Sequence, residues 1–221
     1  MSATDSQTFA YLGPVGTFTE AALAKITCDS DVKVPYANVT AALDAVRKGE
    51  ADFALVPIEN SVEGVVARTL DEFLAFAVSN KKGVLLETKH PVISGNRIEE
   101  VVVEKIRATK GIEKIDVAVM SFSWFAIEKM KRIDPTIHTT FLMHKNTPWF
   151  QAKLSSSASI GPGINELREE PIRAERIKKL GRSLNVWTVD DDADIKLCEK
   201  LGVDILITNK PSHAREVLRY P

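Results

Sequence analysis

Short β-branched or aliphatic runs alternate along this chain with segments whose apolar residues recur three and four apart. That alternation confines the fold to the α/β class. Nine runs read as strands: Phe9–Leu12, Val32–Val34, Phe53–Val56, Val84–Lys89, Asp116–Met120, Ile137–Met143, Ala158–Ile160, Leu184–Val189 and Asp204–Thr208. Parallel strands joined by helices need both faces covered, which explains why several runs are continuously apolar. Leu70, Phe73, Leu74 and Ala77 form one helical stripe between strands, and Phe125, Ile127, Met130 and Ile133 a looser one. The one irregular stretch, His144 to Glu170, is rich in Ser, Pro and Gly, and a change of character falls near Phe76–Gly83.

The chain has 221 residues, 44% hydrophobic and 27% charged, enough for about one and a half domains of roughly 150 residues each. Lys+Arg 29 against Asp+Glu 30 gives neither a broad basic field for nucleic acid nor a polybasic membrane anchor. No apolar run reaches the roughly 18–20 residues that span a bilayer. Met1–Gln7 is polar and unlike a signal peptide. Cys28 and Cys198 sit in no metal or redox spacing, so a cytoplasmic chain with buried or inert thiols is expected.

In the first third, the strand Phe9–Leu12 runs into Gly13-Pro14-Val15-Gly16 and then a helix. Thr17 and Glu20 have capping-box spacing. A glycine-rich turn opening a helix points N–H groups at one spot, which makes Gly16 and Thr17 candidates for binding an anion. A tight, well-capped βα turn accounts for the same residues. After the strand Phe53–Val56 comes Pro57-Ile58-Glu59-Asn60-Ser61-Val62-Glu63-Gly64, where Asn60 and Ser61 could hydrogen-bond a carboxylate or simply form an Asx-type turn. The two clusters together, with the helix Ala41–Val46 between them, resemble the start of prephenate dehydratase over about residues 8–75. The resemblance implies a periplasmic-binding-like α/β lobe and a share in converting prephenate to phenylpyruvate. The family's Thr-Arg-Phe motif has no counterpart here; Thr139-Thr140-Phe141 lacks the arginine.

Downstream, functional residue types sit at the ends of successive strands, the logic of a (β/α)8 barrel. Glu87 and Lys89 alternate and so share a face, as a binding pair or as an ordinary strand-end ion pair. Ser121-Phe122, Trp187-Thr188-Val189 and Gly202-Val203-Asp204 with Thr208 and Pro211 follow in order. These motifs resemble the C-terminal part of a glycerophosphodiester phosphodiesterase over about residues 69–221. The resemblance implies Glu87 as a ligand of a divalent cation, Mg²⁺ or Ca²⁺, Lys89 as a phosphate-binding group and Trp187 on the substrate face. The family's His-Arg-Gly strand, Glu-x-Asp strand and His-Asp pair have no counterpart. Of the four histidines, His144 just past a strand end is the one placed for acid–base work, with a surface histidine as the alternative.

Thr69–Leu74 fits both families, so the chain reads as a fusion: residues 1–75 an incomplete first lobe, residues 76–221 an incomplete barrel. The expected function is a hybrid of a metal-dependent phosphodiester hydrolase segment and a dehydratase segment, with feeble or absent turnover. The alternatives are a non-catalytic module that captures a small carboxylate, or an active enzyme completed by a homo-oligomeric partner. A small-molecule carboxylate or phosphodiester is the expected ligand.

Overall fold

The computed structural model describes residues 6–57, 59–60, 64–65, 67–91 and 97–220, with the backbone alone at 59–60, 64–65 and 67–68. The first region contains three parallel strands, β1 (Thr8–Leu12), β2 (Val32–Tyr36) and β3 (Phe53–Leu55), in the order β2-β1-β3. The central strand is covered on both faces, which is why it reads as an unbroken apolar run. Ala10 packs with Ala42, Ala45 and Ala51 on one side, while Phe9 and Tyr11 pack with Leu23 on the other. Helix α1 (Phe18–Leu23) supplies Leu23. Helix α2 (Val39–Arg47) supplies the alanines at 42 and 45, and it starts where Asn38 Oδ1 accepts the Ala41 N–H at 2.9 Å.

A two-residue antiparallel pair follows, β4 (Glu59–Asn60) with β5 (Gly64–Val65), placing Asn60 opposite Gly64. Helix α3 (Ala67–Ser79) then buries Leu70, Leu74 and Ala77, as the helical period predicts. Phe73 departs from that stripe and remains 43% exposed. The buried side of α3 packs into the second region, in one cluster with Val84, Leu86, Val102 and Val119. Its opposite side is tied to α2 by Arg47 and Glu72, at 2.7 Å.

The second region winds in one direction. Strands β6 (Val84–Glu87), β7 (Val117–Ser121), β8 (His138–Met143), β9 (Ser159–Pro162), β10 (Ser183–Val186) and β11 (Ile205–Leu206) lie side by side in chain order, all parallel. The helices between them are α4 (Ile98–Ala108), α5 (Trp124–Ile133), α6 (Trp149–Leu154), α7 (Ile164–Glu169), α8 (Ile172–Lys179) and α9 (Asp192–Leu201), with α10 (Pro211–Val217) last. The result is a curled parallel half-barrel. All nine expected strands are present; β6 and β10 end two or three residues earlier than their apolar runs.

Alternation divides the two sides of this sheet. Val84, Leu86 and Val119 pack in one helix-facing core, and Phe141, Met143, Ile160, Leu184 and Val186 in another. The alternate positions therefore line the concave side: Glu87, Phe122, Thr140, His144, Asn185 and Trp187. Contacts agree with this division, since Asn185 Nδ2 donates to Thr140 Oγ1 at 2.9 Å across the intervening strand. That strand carries Gly161 between them, where an added Cβ would lie 2.7 Å from Leu142 Cδ2. Phe125, expected in a helical stripe, is 78% exposed instead, because Ser123 caps α5 and sets its phase so that Ala126, Ile127 and Met130 face inward.

The thiols also part ways. Cys198 is buried, and burial together with the Asp194 charge pushes it up to about 11, whereas Cys28 is exposed. Among the described residues no helix is long and apolar enough to cross a membrane.

Candidate functional site

The glycine-rich turn after β1 is built as the capping pattern predicts, with one difference. Thr17 Oγ1 accepts the Glu20 N–H at 3.4 Å, but Glu20 Oε2 reaches back to the N–H of Gly16 rather than of Thr17. Tyr11 donates its hydroxyl to Glu20 Oε1 at 3.1 Å. Burial, reinforced by this bond and the Glu20 charge, raises the Tyr11 phenol above its ordinary range. The Gly16 N–H expected to await a ligand is thus engaged by the chain's own carboxylate, which the positive end of the helix also favours. Asn60 lies in the β4 backbone, and Ser61 lies outside the described residues.

The concave face of the half-barrel gathers more. At the C-terminal ends of β7, β8 and β10, three rings meet. Phe122 stacks on His144 with ring centroids 4.1 Å apart and planes 7° from parallel. Trp187 meets Phe122 edge-on at 5.1 Å and His144 edge-on at 6.0 Å. The indole is held by its own hydrogen bond, Trp187 Nε1 donating to the Gly161 carbonyl at 2.8 Å. Histidines 90, 138 and 213 bond Glu99, Ser159 and Asp192, so their rings are committed elsewhere.

Glu87 ends β6 and is exposed, as is Lys89 two residues on. The ladder continues past the strand, with the Thr88 N–H donating to the Met120 carbonyl at 2.9 Å. Alternation thus keeps Lys89 on the Glu87 side. Ser121 anchors this end by donating its hydroxyl to the Thr88 carbonyl at 2.7 Å. At the far side, Asp190 accepts from Thr208 Oγ1 and from the backbone and side chain of Asn209. The Asn209 bonds, followed by Thr208, hold its carboxyl below the usual carboxylate range.

Sequence reasoning missed two members of this face as site residues. Phe122 was visible only as part of a motif, although its alternation with Met120 carries a signal. Asn185 is fully buried and its Oδ1 has no partner among the described residues, a property that no spacing rule reveals. The metal fares differently. Among the described residues no three His, Cys, Asp or Glu side chains gather, and Glu87 by itself does not make a donor set for a hard divalent cation.

Comparison with known proteins gives two resemblances that overlap along the chain. The prephenate dehydratase family model matches residues 9–112. Prephenate dehydratase of Amycolatopsis methanolica is 58% identical over 62 residues, 28% of this chain and 20% of that protein. The Mycobacterium avium protein of the same name is 49% identical over 88 residues. "Probable glycerophosphodiester phosphodiesterase 1" of Mycobacterium tuberculosis is 28% identical over 158 residues, 66% of this chain and 57% of that one. The chain is similar to two different enzymes. It spans between a fifth and three fifths of these relatives' own lengths. Among solved structures, a glycerophosphodiester phosphodiesterase from Parabacteroides distasonis superimposes with a TM-score of 0.62 at 18% identity, covering 97% of each chain. An Oleispira antarctica phosphodiesterase, solved with the product sn-glycerol-3-phosphate, gives 0.58 at 14% identity over 71% of this chain. These two likenesses show the barrel fold. The family match runs past residue 75 to 112, through α3, β6 and α4, and with the phosphodiesterase match it exceeds the chain's length. The two resemblances therefore share residues.

Proposed function

We propose that the second region binds a glycerophosphodiester on its concave face and turns it over feebly or not at all. In this reading Lys89 meets the phosphate, Trp187 and Phe122 pack against the rest of the molecule, and His144, stacked on Phe122, lies beside it as the candidate acid–base group. One observation carries the proposal: Phe122, His144 and Trp187 converge on the face that also holds Glu87 and Lys89. Aromatic faces and one cation suit an organic phosphate, and the similarity to phosphodiesterases supports the same ligand class.

The proposed weakness of turnover rests on what the chemistry requires. Phosphodiester hydrolysis in this family calls for a divalent cation to polarise the phosphoryl oxygen, and Glu87 alone is a poor site for one. In the first region, Glu20 on the Gly16 N–H places a carboxylate where a small acid would bind, which argues for a structural role over prephenate conversion. A second copy completing the site is the competing reading, and it predicts specific activity that rises with protein concentration.

The test is a paired assay: glycerophosphocholine with Mg²⁺ or Ca²⁺, and prephenate without metal. The expected result is no release of glycerol phosphate and no phenylpyruvate above a heat-inactivated control. Robust hydrolysis abolished by Glu87→Gln would overturn the proposal and assign Glu87 to a working metal centre. Heat on titrating prephenate or phenylalanine would instead assign the first region to carboxylate capture.

A further inference from the structure

Lys89 and Phe122 stand at neighbouring strand ends of the concave face, one residue beyond Thr88 and Ser121. Glu87 pairs with Met120 in the register of β6 and β7, so Thr88 falls opposite Ser121. In a continuing parallel ladder Thr88 would bond β7 twice, its N–H to the Met120 carbonyl and its carbonyl to the Phe122 N–H. The first bond is made, at 2.9 Å. Among the described residues the second is not. Ser121 Oγ donates to the Thr88 carbonyl instead, at 2.7 Å, and accepts the Ser123 N–H at 3.2 Å. Ser121 is fully buried and Thr88 is 2% exposed, so water does not compete for the bond between them.

The hydroxyl therefore stands in for a backbone donor. It lets β7 leave the sheet at Ser121 and run directly into Ser123, the N-cap of α5, with the Phe122 N–H off the ladder. Phe122 is thereby placed with its ring on His144, centroids 4.1 Å apart and planes 7° from parallel. Removing the hydroxyl would leave the Thr88 carbonyl buried without a partner, a costly state. The nearest repair is the ordinary ladder bond from the Phe122 N–H, and making it draws Phe122 toward β6 and off His144.

We propose that Ser121 is a positioning residue for the concave-face site. By replacing one ladder donor, its hydroxyl holds the Phe122 ring against His144 and sets the separation of that ring from Lys89. Its part in recognition rests on the reading of this face as a glycerophosphodiester site; its hold on the ring does not.

The experiment uses Ser121→Ala in the full chain, with two readouts. The first needs no ligand. The His144 ring protons lie over the Phe122 ring and are displaced by its ring current, and Phe122→Leu gives their position without that ring. In Ser121→Ala the His144 resonances should move most of the way to the Phe122→Leu position, while those of His138 stay in place. A loss of stability alone would leave the folded chain's His144 resonances unmoved. Should the variant fail to fold, amide exchange in the unmodified chain decides. The Ser123 N–H, bonded to the hydroxyl, should exchange at least about tenfold more slowly than the unbonded Phe122 N–H. The second readout is calorimetric titration with glycerophosphocholine, which Ser121→Ala should weaken by about fivefold. In a Phe122→Leu background the same substitution should change affinity by at most about twofold, because it acts through the ring. Unmoved His144 resonances in a folded Ser121→Ala, or a Phe122 N–H protected as well as that of Ser123, would overturn the proposal. Moved resonances with unchanged affinity would overturn its part in recognition. No binding by the unmodified chain would overturn the ligand reading, with the hold on the ring still judged by His144.

Discussion

The two regions use the same alphabet of parallel strands and helices but close their cores very differently. Around β1 the buried wall is largely alanine, at positions 10, 42, 45 and 51, with Phe9, Tyr11 and Leu23 on the other side. Around β7 to β10 it is Phe141, Met143, Ile160, Leu184 and Ile195, each at most 1% exposed. Val15, Phe18 and Ile26 of the first region are 69%, 90% and 64% exposed. Burial stabilises by roughly 25 cal/mol per Å² of apolar surface, so the half-barrel holds the larger share of the stabilisation. The same strand-and-helix pattern therefore does not by itself fix how much apolar surface a region buries; the side chains its elements bring together do.

The largest expected effect separates the regions by their cores. All three tryptophans, Trp124, Trp149 and Trp187, lie in the second region, so their fluorescence follows it alone. Phe141→Ala should lower the stability seen by tryptophan fluorescence in urea by about 3–5 kcal/mol. Leu23→Ala should leave that stability within about 0.5 kcal/mol while lowering the stability seen by circular dichroism, which also reports the helices of the first region. Equal shifts in both signals would join the regions into one cooperative unit and break the comparison.

A smaller effect is expected on the concave side of the half-barrel. Gly161→Ala puts a Cβ 2.7 Å from Leu142 Cδ2 and 3.3 Å from the Asn185 carbonyl oxygen. The side-chain contact can yield and the backbone contact cannot, so a loss of about 1–3 kcal/mol by urea unfolding is expected. A neutral result would mean that this face packs more loosely than the helix-facing one.

Acid tests the same region. The Asp134 carboxyl is held below its ordinary 3.8 by Thr136, and after that by Arg107. A depressed carboxylate contributes stability that is present above its unfolded value and lost as pH falls through the lower folded value. Unfolding free energy should therefore decline as pH drops below about 4. Asp134→Asn should flatten that decline, and an unchanged slope would remove Asp134 from the account. The smallest effect belongs to the tie between α2 and α3. Arg47→Ala breaks an exposed ion pair with Glu72, so a loss of at most about 1 kcal/mol is expected in a thermal melt.

These contrasts also explain what was legible in the sequence. Strand positions were readable because continuous apolar runs follow directly from burial on both faces, as at Phe9–Leu12 and Phe141–Met143. Thr17 and Glu20 were readable as a cap, but not the reach of Glu20 to Gly16, because spacing does not reveal how far a side chain bends. Trp187 and His144 were separately nameable; their meeting through Phe122 depends on how three strand ends curl together. Phe125 misled because a run of apolar residues does not reveal the helix phase that the Ser123 cap sets. Phe73 misled because a helical period counts apolar residues but not the neighbours available to cover them.

The central claim is that the concave face of the half-barrel recognises an organic phosphate through Lys89 and Trp187. Its most direct test is calorimetric titration of glycerophosphocholine into the unmodified chain and into Lys89→Ala and Trp187→Ala, each first checked for native circular dichroism. The account predicts saturable binding that each substitution weakens by about fivefold or more, the scale of one charged or aromatic contact. Absence of binding, or unchanged affinity in both folded variants, would contradict it.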